Sequence, residues 1–468
     1  MGLMISRSNR QGALVLAVIA LVSEAVSDAG AEVPAANVRA MSLQEALDYA
    51  RTHQPSLLAA QARITAARAA AEVPRAAWMP LVGATAQVFG ATSNNTTGTY
   101  MPSFGVDLTR IGGTSASSRI EGTPYASTVV GVGIQQELFD FGRIAAQEAV
   151  TDSQVEVTRH AAEASRLDVD LAVANAYFAV VAGHEVLTAA EQAVQRAQVD
   201  LDAATAGVKS ELLPPINRTR ADADLARYEV ARVQAQGGLE SARATLAAVV
   251  GVYDGQLDTA GPTPAVGPLP ELEQVLEQAQ QRDPDVKAAQ SALETQRANT
   301  RAISATIRPD VHLTASINAR AGGAPIGTES PVGAGFLPVV PNYDAGLVLS
   351  WPLFDAVVGR QSNASGQLED VRREELADVK LRLNATAQQA YVQAQIADQA
   401  VPALQRAVDA EKANDDQARA RLKVGLATAV EVAFAEDLLV QAEIQLAIGR
   451  FQTVRARAQL SRVTAEGL

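Results

Sequence analysis

Cysteine is absent from the 468-residue sequence, and this absence excludes several kinds of site. Without thiols the chain cannot form disulfide bonds, thiolate metal sites or a lipid-modified N-terminal cysteine. Aromatic residues are also rare, at 4%, although 48% of all residues are hydrophobic. A composition rich in small apolar residues is typical of long helices that pack closely.

Positive charge is scarce as well. Lysine and arginine number 39 against 52 acidic residues, which gives a net charge of −13. Nucleic-acid binding depends on a basic surface that neutralises phosphates. We therefore expect no nucleic-acid partner.

The N-terminus has the layout of a secretory signal peptide. Arg7 and Arg10 precede an eleven-residue apolar run at 12–22, and residues 29–31 form a small-x-small cleavage site. An uncleaved anchor is the alternative, but the run is shorter than the ~20 residues that a spanning helix needs. We predict a signal peptide at 1–31. No later run approaches eighteen apolar residues, so the exported chain can span a membrane only with strands.

The remainder of the sequence is an internal repeat. Residues 43–86 align with 272–315, and residues 176–249 align with 390–463. The predicted domains are a first repeat (32–250), a Pro-rich equatorial linker (251–270) and a second repeat (271–468), each repeat comprising a helix, a strand hairpin, a long helix and a return helix.

Each repeat contains an unusually long helical stretch. Residues 142–206 and 360–424 run for 65 residues almost without turn signals, and each would be about 98 Å long. Shorter helical stretches precede and follow them, at 56–79, 216–250, 285–308 and 430–464. Stacked end to end, a preceding and a following stretch span roughly 89 Å and match one long helix. The pattern predicts coiled-coil-like rods rather than a globular domain.

Period-two segments precede both long helices. From 311 to 320 apolar and polar residues alternate, and Val82, Ala84, Ala86 and Val88 do so less clearly in the first repeat. Tyr343 and Trp351 share a strand face, roughly 26 Å apart, which fits the aromatic girdles of a membrane barrel. A half-buried soluble sheet is the alternative. Polar segments at 90–122 and 322–341 are predicted outward loops.

Four strands per chain cannot close a barrel. Open sheet edges are not tolerated in lipid, so several chains must contribute. Three chains would supply twelve strands, enough to enclose a lumen.

These features together resemble the TolC family of outer-membrane efflux proteins. The resemblance rests on the repeat, on "ELFDFGR" (137–143) and "PLFDAVVGR" (352–360) at the strand-to-helix corners, and on "VGLAT" (424–428). It implies an α+β membrane protein: a homotrimer with a twelve-stranded outer-membrane β-barrel that continues as a periplasmic α-helical barrel.

The resemblance also implies function and partners. A periplasmic adaptor protein and an inner-membrane pump would join the channel to export toxic small compounds. Export of polypeptides in type I secretion is the alternative within the family. An exported soluble coiled-coil scaffold is the alternative of another class. No cofactor is implied.

The periplasmic tips carry the predicted adaptor-docking residues. In the second repeat they are Val424, Gly425, Leu426, Ala427 and Thr428, and in the first repeat Gly207, Val208, Lys209 and Ser210. A glycine that simply ends a helix is the alternative reading of Gly425. The flanking alignment would instead pair Glu211 with Gly425, and this choice stays open in the sequence.

The resemblance places a channel gate at Glu431. A family member carries acidic residues just past the second tip, where they form a ring that narrows the closed channel. Glu431 matches the first of these residues, and Phe434 replaces the second. The first repeat offers Asn217 or Leu213 at the matching place. A solvated glutamate favoured by the helix dipole is the alternative.

Catalytic or metal-binding patterns are not apparent. His53, His160, His184 and His312 lack metal-ligand spacing, and no nucleophile elbow or phosphate-binding loop occurs. We expect no enzyme activity.

Overall fold

The computed structural model describes residues 39–92, 124–253, 257–260, 267–322 and 340–466. The predicted signal peptide and most of the two predicted loops lie outside these ranges.

The two copies of the repeat have the same order of elements. The first contains α1 (Leu43–His53), α2 (Pro55–Arg75), β2 (Leu81–Thr92), β3 (Pro124–Phe139), α3 (Arg143–Lys209) and α4 (Pro215–Val250). The second contains α5 (Leu272–Arg282), α6 (Pro284–Ala305), β5 (Asp310–Gly322), β6 (Val340–Ser350), α7 (Ala356–Lys423) and α8 (Ala429–Val463). Their bounds agree with the predicted long and short helices to within a few residues.

Proline separates the short helices at corresponding places. Pro55 and Pro284 occupy the first positions of α2 and α6, where a missing N–H costs no hydrogen bond. Before α6, the Asp283 carboxylate accepts hydrogen bonds from the N–H groups of Asp285 (2.9 Å) and Val286 (3.1 Å). A side chain therefore satisfies the first free donors of α6, whereas Gln54, which precedes α2, makes no side-chain capping hydrogen bond.

Helix α3 is the central element of the helical part. It packs against α2 and α4 on one side and against α6 and α8 on the other, whereas α7 packs extensively only on α5, α6 and α8 among the described elements. The largest buried core surrounds its middle, where Val173, Ala174 and Val180 are fully covered. Alanine permits this close approach, as its frequency in the sequence indicated.

A small two-stranded sheet joins the predicted equatorial linker to the start of the first repeat. Strand β4 (Leu257–Thr259) pairs in parallel with β1 (Arg39–Met41). The Asp258 carboxylate is 2.7 Å from Nε2 of His184 and also pairs with Arg243, so it ties this sheet to α3 and α4. The sequence pattern did not indicate this sheet, because both strands have only three residues.

The larger sheet has four antiparallel strands in the order β2-β3-β5-β6. The register pairs Ala84 with Val132, Val132 with Ile317, and Ile317 with Tyr343, so these side chains form one row. Each hairpin belongs to one repeat, and the β3–β5 pairing joins the repeats. Strands β2 and β6 are the two edges.

The sheet has its apolar side chains outside. On one face Val82, Ile317, Tyr343, Leu347 and Leu349 are all more than 60% exposed. On the other face Thr85, Thr314, Ser316 and Asn318 are buried, and the Ser316 hydroxyl donates to Asp344 at 2.7 Å. A soluble half-buried sheet would show the opposite arrangement, so the apolar face fits contact with lipid.

Candidate functional site

The repeated Leu-Phe-Asp corner forms the start of each long helix. Asp140 is buried, and its carboxylate accepts hydrogen bonds from the N–H groups of Gly142 (3.0 Å) and Ile144. In the second repeat, Asp355 accepts from the N–H groups of Val357 (2.7 Å) and Val358 (3.3 Å). The aspartate of the motif thus satisfies the free donors at the point where the chain turns from strand to helix.

The tips of the two repeats have the same backbone geometry. Gly425 has a φ of 74° and Glu211 a φ of 61°, and both follow the end of a long helix. In the second tip the Leu426 N–H donates to the Arg421 carbonyl at 2.8 Å; in the first, the Leu212 N–H donates to Gly207 at 2.9 Å. This hydrogen bond is typical of a helix that ends in a left-handed residue.

The structure therefore pairs Glu211 with Gly425. Gly207, Val208 and Lys209 lie in the last turn of α3, and Ser210 directly follows it. A Cβ at position 207 would lie 2.6 Å from Cδ1 of Leu213, so a larger residue there would require the Leu213 side chain to move. The residues predicted to form the first tip thus lie at and just before the turn.

An apolar surface covers both tips. Leu212, Val424 and Leu426 are between 68% and 80% exposed, and Ile216, Val430 and Phe434 are also exposed. Ala427 and Thr428 complete the second turn, and Thr428 Oγ1 accepts a hydrogen bond from the Glu431 N–H at 3.3 Å. The tips therefore present an uncovered surface on which another protein could pack.

Glu431 lies in the first turn of α8 with its side chain exposed. The paired tips place Asn217 at its structural equivalent, since both residues follow the turn at the same distance. Phe434, one turn further along α8, is also exposed. The Glu431 side chain is thus exposed beside the second turn, and the uncharged Asn217 occupies the equivalent place in the first repeat.

A buried ionic cluster lies just above the tips. Glu436 Oε1 is 3.4 Å from Nε of Arg196 on α3, and its Oε2 is 3.3 Å from Nη2 of Arg419 on α7. Arg419 also pairs with Asp200 and Asp415, each at 2.9 Å. Burial raises the pKa of Glu436 to about 7. Sequence reasoning missed this cluster, because its members are far apart in the chain.

The predicted interface aromatics are at two levels of the sheet. Tyr343 lies on β6 and is 87% exposed, whereas Trp351 directly follows the strand and is 58% exposed. Their exposure on an apolar face is what a membrane interface requires.

The histidines take part in hydrogen bonds or ion pairs with nearby groups. His184 pairs with Asp258, and His312 Nδ1 is 3.1 Å from Asp310. Within the described ranges, no group of three or more histidine, aspartate or glutamate side chains is arranged to hold a metal ion.

A family model described as "Outer membrane efflux protein" matches residues 46–252 and 275–466. The two matched segments cover both repeats, including the sheet, the long helices and the tips. Among curated proteins, Protein CyaE of Bordetella pertussis is 28% identical over 370 residues, which are 76% of this chain and 70% of that protein.

Solved structures share the fold over nearly the whole chain. CusC, whose structures concern transmembrane channel formation, matches with a TM-score of 0.72 and 18% identity over 95% of this chain and 96% of its own. The outer-membrane channel OprN matches with a TM-score of 0.70 and 20% identity, over 91% and 90% of the two chains. The outer membrane protein VceC of Vibrio cholerae matches with a TM-score of 0.68 and 19% identity, over 91% of this chain and 96% of its own. The predicted α+β architecture is thereby confirmed.

Proposed function

The chain belongs to the outer membrane efflux protein family, and we propose that three copies of it form the exit channel of a tripartite efflux system. The observation that carries the proposal is a sheet with an exposed apolar face, attached to helices of 67 and 68 residues. Such a sheet fits a lipid bilayer, and helices of this length extend about 100 Å away from it.

The unpaired edges support the assembly. Strand β6 of one subunit can pair with β2 of the next, repeating the β3–β5 pairing inside the chain. Helix α7 has an uncovered side with the exposed apolar residues Leu368, Leu381 and Ile396, and α2 with α4 has another with Leu58, Val230 and Val233. By analogy with the packing of α3 against α6 and α8, these two sides meet between neighbouring subunits. Three subunits then close the ring with twelve strands.

The tips supply the docking surface for a periplasmic adaptor. The docking residues are Gly207–Ser210 in the first repeat and Val424–Thr428 in the second. The exposed apolar side chains of Leu212, Val424 and Leu426 at the two turns support this assignment. The adaptor would connect the channel to an inner-membrane pump. Glu431 supplies a ring of three carboxylates that narrows the channel, with Phe434 beside it.

The cargo we propose is small toxic compounds. Export of polypeptides by type I secretion is the alternative, and deletion of the gene distinguishes the two. Loss of small-compound export raises sensitivity to such compounds, whereas loss of secretion leaves a polypeptide inside the cell.

The test is reconstitution of the purified full-length protein. We expect a trimeric mass in detergent and stepwise conductance in planar bilayers. A monomeric or dimeric mass, or release of the protein from membranes by carbonate, would instead support a soluble coiled-coil scaffold.

A further inference from the structure

Glu436 connects both repeats. It lies on α8, and its two arginine partners, Arg196 and Arg419, lie on α3 and α7. Only 4% of its side chain is exposed. Since the distance from the second tip to Glu436 is about three helical turns at most, the packing here sets the position of the α7–α8 hairpin relative to α3.

The charge of Glu436 is only partly compensated. Its Oε1 is buried without a hydrogen-bond partner, as are Nε of Arg196 and Nη2 of Arg419, although these atoms lie within ion-pair distance. The better hydrogen bonds of Arg419 go to Asp415 and Asp200, both at 2.9 Å. Well-directed hydrogen bonds are what offset the cost of burying an ionised carboxyl, so this cost remains substantial for Glu436.

Further titratable and charged groups surround the cluster, from each helix that packs against it. Helix α3 contributes Asp200, α7 contributes Asp415, α4 contributes Tyr228 with Arg227 and Asp224, and α8 itself contributes Asp437 and Glu443. Around the two central arginines, the carboxylates of Glu436, Glu443, Asp200 and Asp415 outnumber the guanidinium groups. An ionised Glu436 therefore adds to an excess of negative charge around these arginines, within which Glu436 and Asp415 are the buried carboxylates.

We propose that Glu436 is a positioning residue that links the packing of the α7–α8 hairpin on α3 to protonation. The hairpin stays packed while Glu436 carries a proton, and ionisation favours its release from α3. The assignment rests on the proposed function in one respect, namely that this hairpin is the periplasmic end of the channel.

The direction follows from linkage. The packed state buries Glu436 and holds its pKa at about 7, whereas a released hairpin exposes the carboxyl to water, with an ordinary pKa of about 4.3. The packed state thus binds the proton more tightly. The packed hairpin is most stable below about pH 4.3, and this stabilisation is lost as the pH rises from there through about 7.

The Glu436 cluster has no equivalent at the corresponding positions of the other repeat. The residue of the first repeat that corresponds to Glu436 is Asp222, which is exposed. The positions that correspond to Arg196 and Arg419 are Ala410 and Thr205. At these equivalent positions the junction between neighbouring subunits lacks both arginines, so we assign the pH response to the junction inside each chain.

The test is hydrogen exchange of the full-length protein in detergent, at about pH 5.5 and about pH 8.5, corrected for the intrinsic pH dependence of exchange. We expect the first half of α8 to lose at least tenfold in protection at the higher pH in wild type. We call this pH-dependent loss of protection the step. Glu436→Gln should give the same protection at both pH values, at least as high as that of wild type at the lower pH. Asp437→Asn, a matched change at the neighbouring residue, should retain the step.

A second variant tests the role of the arginines. Arg196→Gln removes one compensating charge, so the midpoint of the step should move to higher pH. A wild-type protein without a step, or a step that persists in Glu436→Gln, would overturn the proposal. Because exchange does not depend on conductance, a protein that shows the step but no channel would contradict only the proposed function.

Discussion

Glu211 and Gly425 hold the same left-handed backbone conformation at the two tips, with φ values of 61° and 74°. Glycine adopts this conformation freely, whereas a glutamate is strained in it. The first tip therefore forms its turn at a cost that the second tip avoids.

Removing the side chain at position 211, or adding one at position 425, should change the stability of each turn in opposite directions. Glu211→Gly should relax the first turn, and Gly425→Ala should destabilise the second by roughly 1–2 kcal/mol. Since no atom lies within 4 Å of a Cβ added at Gly425, the cost arises from the backbone alone. We expect exchange of the Leu426 amide to rise about tenfold in Gly425→Ala. Unchanged exchange there would show that the turn tolerates a side chain.

The two corner aspartates should differ in their contribution to stability. Asp140 is buried and Asp355 is exposed, although both cap a long helix. Asp355→Ala should cost about 1 kcal/mol as the loss of a cap. Asp140→Ala should cost roughly 2–3 kcal/mol, because it also leaves buried N–H groups unsatisfied. Thermal melting followed by circular dichroism measures both, and equal shifts would contradict this difference in burial.

The contacts of Asp258 with His184 and Arg243, which tie the small sheet to α3 and α4, predict an acid-dependent stability. Burial alone would raise the pKa of Asp258, but hydrogen bonds from His184, the Thr259 N–H and Arg243 together lower it below 3.8. Its contribution is therefore present above this pH and is lost as the pH falls through the lowered pKa. Asp258→Asn should destabilise the protein by roughly 1–3 kcal/mol near neutrality.

The difference between Asp258→Asn and wild type should shrink in acid. Denaturant unfolding at neutral pH and below the usual aspartate pKa checks this expectation. A difference that stays constant with pH would mean that ionisation of Asp258 does not contribute to stability.

Glu431 is the predicted constriction. Three carboxylates about 6 Å apart repel by roughly 2.8 kcal/mol per pair at an effective dielectric constant of 20, so a trivalent cation should bind between them and block conductance. Glu431→Gln should lose this block and reduce cation selectivity. Asp416→Asn, which removes an exposed carboxylate on α7, is the control. If both variants retain the block, Glu431 is not the constriction and is only an exposed residue in the first turn of α8.

Much of the architecture is readable from sequence because the repeat presents each pattern twice. The alternation at 311–320 predicted β5, and the uninterrupted stretches predicted α3 and α7. The family assignment is confirmed as well. Local patterns were sufficient for these features, since strand faces and helix lengths depend on neighbouring residues.

Contacts between distant segments were not readable. The choice between Gly207 and Glu211 required the backbone angle at the tip, because both alignments are compatible with the side chains. The cluster around Glu436 joins α3, α7 and α8, and no spacing in the sequence indicates that Arg196 and Glu436 meet. Burial of a charged residue depends on tertiary packing. From the sequence alone, a glutamate in a helical stretch is therefore predicted to be solvent-exposed.

The edge strands β2 and β6 have a consequence for mixed populations of the protein. Their junction is head-to-tail, so every subunit of a closed ring offers both edges. A variant that cannot pair through β6 would still join a neighbour through β2 and would open whichever ring it enters. Expressed in equal amounts with wild type, it would leave only about one ring in eight intact, and such a mutation would be genetically dominant.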